Sequence, residues 1–358
     1  MASESTAGER TTDRGTSGRA NPLDGERRKE VEALAQRFFG RAPERVAFPG
    51  GKSRSAFIAD MGADGLVVMA KRDDERDAQL EATVLKGLSA SGCTPRFVAR
   101  HGVWLVQECV PGTRLPILLD REPATRERRV GEALDGLLAI RAAAAESGLV
   151  HRVPKLGVRS GWFAARIAEM AEAAARLDIA PPALDVPGLS RILDVRHRDF
   201  VKWDARPGNA LVGDDGRTTW FDWEDCGRHD SMDDLVCLLA DEWTPLDAAQ
   251  EERILDRYLP RFAGRRSADE ARRDHAVMTM VQIGFRMRLA VGYWAKRERW
   301  WDREHCLNGD KVGVTPQEVG RLIERGRRTA DGHALTRPYL PFLDALEERL
   351  GLVPALAA

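Results

Sequence analysis

The sequence predicts an α+β protein in which a small antiparallel sheet precedes a larger, mostly helical region. Short apolar runs separated by glycine-rich turns dominate the first part of the chain, a pattern typical of strands joined by hairpins. Pro111-Gly112 marks a change, because apolar side chains then recur at the three- and four-residue steps of amphipathic helices. With 358 residues, 43% of them hydrophobic, the chain can bury a large core.

The beginning of the chain is predicted to carry no fixed structure. Residues 1–25 are rich in Ser, Thr, Gly, Arg and Glu and have few large apolar side chains, so burial cannot offset the entropy of ordering them. From Arg27 to Phe39 apolar residues recur at helical spacing, which predicts a leading helix. We therefore predict a disordered tail over 1–25, a sheet-containing lobe over 26–111 and a helical lobe over 112–358.

The strands of the first lobe are predicted from apolar or β-branched runs between turn residues. One main helix is predicted over Glu75–Leu88, where leucine and valine recur at helical steps. The predicted strands are Val46–Phe48, Ala56–Ile58, Leu66–Lys71, Arg96–Ala99 and Gly102–Val110.

The second lobe is predicted to be helical apart from one insert of strands and loops. The insert spans residues 192–223, where short apolar runs alternate with turn-forming residues. It would bring polar loop residues to the mouth of the helical lobe. The main predicted helices are Arg126–Ala145, Trp162–Leu177, Ala248–Phe262 and Asp274–Trp294.

The overall composition argues against several classes of function. The chain has 55 basic and 56 acidic residues and a net charge of -1, so no general attraction to nucleic acid or to an anionic membrane is expected. Its 5 cysteines lack metal-ligand spacing and are odd in number, which fits a reducing cytoplasm better than a disulfide framework. No apolar run is long enough to span a membrane or to serve as a secretory signal. We expect a soluble cytoplasmic protein without nucleic-acid or membrane partners, and its oligomeric state stays open.

The most informative stretch of the chain is Asp204-Ala-Arg-Pro-Gly-Asn209-Ala-Leu-Val, followed by Trp220-Phe-Asp222-Trp-Glu. Two strand-like runs flank a turn of Gly and Asp residues between them, which is the layout of a hairpin. Asp204, Asn209 and Asp222 can then converge on one point. A carboxylate near the attacking hydroxyl, with oxygen ligands that hold magnesium, is what phosphoryl transfer from ATP requires. For any one of the three alone, an ordinary polar turn residue is the alternative.

This stretch resembles the motif of the aminoglycoside phosphotransferase family, relatives of the protein kinases, which reads roughly H-G-D-x-x-P-G-N-x-L-V and then I-D-W-E. Pro207-Gly208-Asn209, Leu211-Val212 and Asp222-Trp223-Glu224 match position by position. The resemblance implies a bilobal, protein-kinase-like fold and an enzyme that moves the γ-phosphate of ATP to a small-molecule hydroxyl. It also implies that Asp204 orients or deprotonates the acceptor and that Asn209 and Asp222 bind Mg²⁺.

One position departs from the family pattern. The His that stands two residues before the catalytic Asp is Lys202 here, whereas His197-Arg198-Asp199 just upstream looks like the catalytic triplet of protein kinases. Choosing Asp199 would move Asp204 into the place of Asn209 and leave Pro-Gly-Asn unexplained. We therefore favour Asp204 and keep Asp199 as the alternative. The same departure leaves open a nucleotide-binding pseudoenzyme or regulator of the same fold.

The first lobe offers candidate residues for binding the phosphates of ATP. Gly50, Gly51 and Ser53 lie in a turn between two predicted strands, where small residues let backbone N–H groups approach an anion. An ordinary hairpin turn is the alternative. Lys71 ends a predicted strand in the way that the kinase lysine ends Val-Ala-Ile-Lys, or else it is an edge-strand lysine that faces water.

The resemblance assigns three more residues to the nucleotide site. Glu81 begins a stretch like the family helix whose Glu pairs with the lysine, so an ion pair between Lys71 and Glu81 is expected. A solvated position on the helix face is the alternative for Glu81. The run Trp104–Gly112 resembles the hinge between the lobes, so the backbone of Glu108 and Val110 is expected to contact adenine.

The acceptor is not identified by the sequence, and an antibiotic, a sugar or an amino alcohol would each supply a hydroxyl. Basic and aromatic side chains on the late helices suit an anionic or aromatic acceptor better than a polycation. Alternatively, their stems and rings pack against the edge of the core. The residues concerned are Arg286, Arg288, Tyr293, Trp294, Lys296, Arg297, Arg299, Trp300 and Trp301.

Overall fold

The computed structural model of the chain describes residues 22–47, 55–194 and 198–352. Most of the predicted tail lies outside these ranges, as does the turn with Gly50, Gly51 and Ser53. The chain divides into two compact units. The smaller unit takes the residues up to Ala82 together with Arg96–Cys109, and the larger takes Thr83–Pro95 and the residues from Val110 onward.

The helices of the described residues follow the predicted pattern closely. Within the described ranges they are α1 (Pro22–Phe39), α2 (Glu75–Gly87), α3 (Leu115–Arg121), α4 (Arg126–Glu146), α5 (Trp162–Leu177), α6 (Val186–Leu193), α7 (Met232–Leu239), α8 (Ala248–Phe262), α9 (Ala268–Ala295), α10 (Arg303–Asn308), α11 (Pro316–Asp331) and α12 (Leu340–Arg349).

The strands are short and belong to three small sheets. In the same ranges they are β1 (Arg45–Ala47), β2 (Ala56–Asp60), β3 (Leu66–Lys71), β4 (Phe97–His101), β5 (Trp104–Glu108), β6 (Thr113–Arg114), β7 (Asp199–Val201), β8 (Ala210–Val212), β9 (Thr218–Trp220) and β10 (Gly227–His229).

The smaller unit is built on a sheet of order β1-β2-β3-β5-β4, in which all neighbouring strands are antiparallel. Helix α1 supplies Val31, Leu34 and Ala35 to a buried apolar cluster that also contains Val67 and Met69 of β3. Because successive side chains of a strand point to opposite faces, the alternate residues of β3 point away from α1. The alternation therefore decides which of the two cations at the end of β3, Lys71 or Arg72, faces α1.

Two helix starts lie earlier than the sequence pattern predicts. Helix α1 begins at Pro22 rather than Arg27, and Pro is tolerated in a first turn because its missing N–H has no helical partner there. Helix α9 begins at Ala268 rather than Asp274, because Ser267 and Glu270 form a capping box at its start. Both extensions precede the first residue of the apolar periodic pattern, so that pattern cannot detect them.

The larger unit contains a two-stranded and a three-stranded sheet, which include the strands of the predicted insert. Strands β8 and β9 form the predicted hairpin, with Ala210 opposite Trp220, and β6 extends it to three strands. The indole N–H of Trp220 donates to the carbonyl of Ala133 in α4 at 3.2 Å, which fixes the hairpin on that helix. Strand β7 pairs antiparallel with β10. Among the described residues no helix is both long and apolar enough to cross a membrane.

Candidate active site

A buried carboxylate binds the backbone at the start of the loop between β7 and β8, residues 202–209. Asp234, in the first turn of α7, accepts hydrogen bonds from the backbone N–H groups of Lys202 and Trp203, each at 2.9 Å. Burial raises the pKa of Asp234 to about 6, although both N–H donors favour its ionised form. The bonds bend the chain sharply, since Trp203 has a φ of 70°. The loop is therefore fixed immediately before Asp204.

Within this loop Asp204 and Asn209 are joined directly. The Asn209 side-chain amide donates to Asp204 Oδ2 at 2.6 Å and to the Asp204 carbonyl at 3.1 Å. Asn209 is 1% exposed, whereas the Asp204 side chain is 36% exposed. Because the amide nitrogen spends its hydrogens on Asp204, Oδ1 of Asn209 is the side-chain atom suited to a cation. The Asp204 carboxylate is oriented and still accessible to a substrate.

Asp222 follows β9 and lies beside the same loop. The N–H of Phe221 donates to the carbonyl of Asn209 at 3.1 Å. The backbone of Asp222 is left-handed, with a φ of 63°, and its carbonyl accepts the ammonium of Lys202 at 2.7 Å. The hairpin thus brings the segments that carry the two predicted magnesium ligands, Asn209 and Asp222, next to each other.

The donor set of Asn209 and Asp222 fits Mg²⁺. An amide oxygen and a carboxylate are hard oxygen ligands, and Mg²⁺ commonly takes only one or two protein ligands beside water and substrate phosphates. Across the parts of the chain that the structure describes, no group of three or more His, Cys, Asp and Glu side chains could hold a metal.

The alternative catalytic residue, Asp199, stands apart from this arrangement. It is the first residue of β7, it is exposed, and it lies opposite His229 in the β7–β10 pair. The structure joins Asp204, not Asp199, to Asn209. His197 of the upstream triplet lies outside the described residues.

The sequence profile of the Phosphotransferase enzyme family matches residues 44–271. The chain belongs to the phosphotransferase enzyme family. The match includes the loop, the hairpin and α7, so the family assignment predicted from the Asp204–Asp222 stretch is confirmed. None of the curated proteins matches the sequence.

Solved structures of other phosphotransferases resemble this phosphotransferase in fold. A spectinomycin phosphotransferase, solved with ADP and spectinomycin, is 14% identical over 89% of this chain and 98% of that chain, with a TM-score of 0.50. The macrolide 2′-phosphotransferase MphH from Brachybacterium faecium is 19% identical over 81% and 97%, with a TM-score of 0.49. The choline kinase LicA from Streptococcus pneumoniae is 14% identical over 83% and 98%, with a TM-score of 0.47. The similarity to the spectinomycin phosphotransferase, at a TM-score of 0.50, confirms the kinase-like α+β fold predicted from the sequence.

In the smaller unit of the phosphotransferase, the ion pair predicted between Lys71 and Glu81 is not formed. Lys71 Nζ instead lies 3.0 Å from the carboxylate of Glu30 in α1, and Arg72 Nε donates to Glu81 Oε2 at 2.6 Å. The reason is strand parity: Lys71 shares the face of Met69, which packs against α1, and Arg72 takes the opposite face. Glu81 is fully buried, and the Arg72 side chain is 11% exposed.

Arg72 was not predicted from the sequence, and no local signal could have selected it. The run Leu66-Val-Val-Met-Ala is apolar at every position, so it does not show which of Lys71 and Arg72 shares the face covered by α1. The parity is set by α1, which covers one face of the sheet.

The two predicted hinge residues belong to different units of the phosphotransferase. Glu108 is the last residue of β5, and its N–H donates to the carbonyl of Arg96 at 2.9 Å. Its carboxylate accepts the N–H of Arg96 at 3.1 Å. Val110 is the first residue of the second segment of the larger unit. Their contact with adenine stays a prediction.

A second residue that sequence analysis missed touches the loop from far along the chain. Arg206 Nε donates to Asp204 Oδ2 at 3.3 Å, and its two terminal nitrogens donate to the carboxylate oxygens of Asp310 at 2.8 and 2.9 Å. Burial disfavours the charged guanidinium, but the charges of Asp204 and Asp310 outweigh it and raise the pKa of Arg206 well above its ordinary value. Asp310 is separated from Arg206 by 104 residues, so no motif spacing could reveal the contact.

Several of the basic and aromatic residues considered for the acceptor are engaged in packing. Arg286 is buried and forms a bidentate ion pair with Glu242, at 2.7 and 2.5 Å. The rings of Tyr293 and Trp301 lie 5.1 Å apart, and those of Trp294 and Trp300 lie 5.9 Å apart. For Arg286 the packing alternative is the one that the structure realises.

Proposed function

We propose that this phosphotransferase moves the γ-phosphate of ATP to the hydroxyl of a small molecule. The observation that carries the proposal is the hydrogen bond from the Asn209 amide to the Asp204 carboxylate, which orients that carboxylate. Asp222 follows Phe221, whose N–H donates to the carbonyl of Asn209. Such a set needs little covalent chemistry from the protein, because phosphoryl transfer relies on positioning and electrostatics.

Asp204 is the catalytic residue in this proposal. The acceptor hydroxyl donates its hydrogen to the carboxylate, its oxygen attacks the γ-phosphorus, and the bond from phosphorus to the leaving oxygen of ADP breaks. The proton passes to Asp204 as the new bond forms. Two donors, Asn209 and Arg206, hold the carboxylate so that it does not have to reorient during the reaction.

Asn209 and Asp222 are proposed to hold the magnesium ion that accompanies ATP. When bound, the ion would neutralise charge on the phosphate oxygens. Lys202 supports this arrangement by fixing the backbone of Asp222 through its carbonyl. The chain thus retains a donor at the position where the family pattern has His, which speaks against loss of function there.

On the nucleotide side, we propose that Arg72 supplies the cation that the family resemblance had assigned to Lys71. Its partner Glu81 is fully buried, so the pair resembles the lysine–glutamate pair of kinases in arrangement. Gly50, Gly51 and Ser53 are proposed to approach the phosphates, and Glu108 and Val110 the adenine ring. The proposed acceptor is the hydroxyl of an antibiotic, a sugar or an amino alcohol.

The test is turnover of radiolabelled ATP with magnesium against a panel of antibiotics, sugars and amino alcohols. With the acceptor that reacts, Asp204→Asn should lower turnover by ~10²- to 10⁴-fold, the usual contribution of a positioned base. Asp222→Ala should abolish magnesium-dependent turnover while the protein still melts as a folded chain.

Asp199→Asn is the matched control, because it removes a carboxylate five positions earlier that does not contact Asn209. It should leave turnover unchanged. If Asp199→Asn is inactive and Asp204→Asn is active, the catalytic assignment is wrong. If wild-type protein binds ATP by calorimetry but transfers phosphate to no acceptor, the pseudoenzyme alternative replaces the proposal.

A further inference from the structure

Resting on the proposed function, we propose that Asp310 is a positioning residue for the catalytic base. It lies outside the loop and acts through Arg206. Both Asp310 carboxylate oxygens accept hydrogen bonds from Arg206, and Arg206 in turn donates to Asp204. The aspartate that receives the proton is thereby connected to the segment after α10. We call Asp204, Arg206, Asp310 and Arg114 the charge clamp.

The charge clamp alternates in sign along its length. Asp204 meets Arg206 at 3.3 Å, Arg206 meets Asp310 at 2.8 Å, and Asp310 meets Arg114 at 2.9 Å. Two carboxylates and two guanidinium groups cancel, so the assembly can be largely buried without an uncompensated charge. The exposed fraction is 7% for the Asp310 side chain, 18% for Arg114 and 21% for Arg206, and it is highest, 36%, for Asp204 at the catalytic end.

The segment that carries Asp310 is itself held rigidly. Arg114 donates to the carbonyls of Leu307 and Asn308 at 2.7 and 3.0 Å. The indole N–H of Trp243 donates to the carbonyl of Lys311 at 2.9 Å. Asp310 has a left-handed φ of 52°, an uncommon backbone for a residue other than Gly. These bonds flank Asp310 on both sides, so its carboxylate is presented in one orientation.

The charge clamp fills the space next to Gly208 in the loop. A Cβ atom built at Gly208 would lie 2.1 Å from Asp310 Oδ1 and 2.5 Å from a terminal nitrogen of Arg206. The φ of Gly208 does not demand glycine, since it is absent from the left-handed residues among the described positions. A larger residue at this position of Pro-Gly-Asn would therefore have to displace the Asp310 carboxylate or the Arg206 guanidinium.

What the clamp supplies is alignment rather than contact with substrate. Arg206 has a planar fork whose terminal nitrogens are both used by Asp310, which leaves Nε aimed at Asp204. Without Asp310, the Arg206 guanidinium is free to rotate. Asp204 then keeps only one side-chain donor in a fixed position, the amide of Asn209. A displacement of about 1 Å at a reacting group can cost on the order of 100-fold in rate.

The experiment compares Asp310→Asn, Arg206→Gln and the double variant, with the acceptor and magnesium–ATP of the wild-type reaction. We expect kcat to fall by about 10- to 100-fold in each single variant, with KM for ATP nearly unchanged, as for a lost alignment. In the Arg206→Gln background, Asp310→Asn should add little, because Asp310 acts through Arg206.

Asp274→Asn is the matched control. Asp274 is also held by two arginines, Arg266 at 2.8 Å and Arg273 at 2.7 Å, and its side chain is 6% exposed. It should lower the melting temperature about as much as Asp310→Asn does but leave kcat unchanged. Equal kcat losses in the two variants would show a general effect of removing a buried carboxylate and would overturn the proposal.

The outcomes separate this proposal from the proposed function. If Asp204→Asn is inactive and Asp310→Asn keeps full kcat, the positioning role is wrong and the proposed function stands. If Asp204→Asn keeps full activity, or wild-type protein transfers phosphate to no acceptor, the proposed function is wrong and the role of Asp310 falls with it. Multiplicative losses in the double variant would also overturn the claim that Asp310 acts through Arg206.

Discussion

The ammonium of Lys202 donates a hydrogen bond of 2.7 Å to the backbone carbonyl of Asp222. Lys202 is fully buried, and its ammonium lies 5.1 Å from the centre of the Trp223 ring, so the cation is also stabilised by an aromatic face. Asp222 has left-handed backbone at this point, with a φ of 63°. The residue that departs from the family motif thus holds the residue proposed to bind magnesium.

Replacing Lys202 should therefore change the magnesium requirement. Lys202→Met removes the Lys202 hydrogen bond from a part-buried carbonyl, which costs up to ~1–3 kcal/mol and loosens Asp222. We expect the magnesium concentration for half-maximal turnover to rise several-fold, whereas Lys202→His, which keeps a donor, should retain much of the wild-type response. Lys29→Met, at an exposed position of α1, is the control. A magnesium titration of turnover checks this, and superimposable curves for wild type and Lys202→Met would contradict it.

The two cations at the end of β3 should differ sharply in their effects. Arg72→Met removes this ion pair from the buried Glu81 carboxylate, which should destabilise the protein by ~3–5 kcal/mol. Lys71→Met removes a pair whose side chains are 43% and 44% exposed, and such surface pairs contribute ~0–1 kcal/mol. Urea unfolding measures both.

The same pair of positions separates the two assignments of the nucleotide cation. The double variant Arg72→Met/Glu81→Gln leaves no buried charge alone, so its KM for ATP reports on binding rather than on folding. We expect this KM to rise well above that of wild type and that of Lys71→Met to stay near it. The reverse order would return the role to Lys71.

Asp241 should make the stability of the larger unit depend on pH. Burial, with Glu242 next to it, raises its pKa to about 7 despite the nearby Arg286. Since the ordinary pKa of Asp is about 3.9, the folded state binds more protons than the unfolded state between about pH 4 and 7, and stability falls as the pH rises through that window.

Asp241→Asn should flatten that dependence. Its amide oxygen can still accept the Trp243 N–H, which Asp241 Oδ1 accepts at 2.9 Å, and no buried charge forms. We expect the variant to unfold at higher urea than wild type at pH 8 and at similar urea near pH 4. Part of the slope should remain below neutrality, because Asp234 also titrates there with a pKa of about 6. A variant less stable than wild type at pH 8 would contradict the expectation.

Gly208→Ala should weaken turnover without unfolding the protein. The added methyl group would overlap Asp310 Oδ1, which lies 2.1 Å from the position of the Cβ atom, so the charge clamp must open. The matched control is Gly320→Ala in α11, where a Cβ atom meets nothing within 4 Å. That change should stabilise the helix by ~0.5–1 kcal/mol. Full kcat in Gly208→Ala would show that the clamp yields at no cost.

The fold and the central loop could be predicted because their determinants are local. The β8–β9 hairpin is read from two apolar runs around a turn, and Asp204 and Asn209 are five positions apart in one loop, so their hydrogen bond needs no knowledge of the rest of the chain. Amphipathic spacing likewise gave α5 and α8 with their observed bounds.

Features set by tertiary packing could not be predicted in this way. The partner of Glu81 depends on which face of β3 is covered by α1, and the apolar run before Lys71 carries no alternation to decide it. Asp310 reaches Arg206 across 104 residues with no spacing rule to suggest it. Chemistry in this chain is therefore encoded in a local motif, and its support is encoded in contacts that only the folded chain brings together.

The family match ends at residue 271, and Asp310 lies beyond it. In an exchange of the C-terminal portion with another member of the family, every motif residue would be retained, yet Arg206 would face whatever the foreign portion presents. A hybrid without a carboxylate at the position of Asp310 would leave the Arg206 guanidinium without its bidentate partner. Attempts to transfer acceptor preference by swapping that portion should therefore carry over, or rebuild, the counter-charge for Arg206.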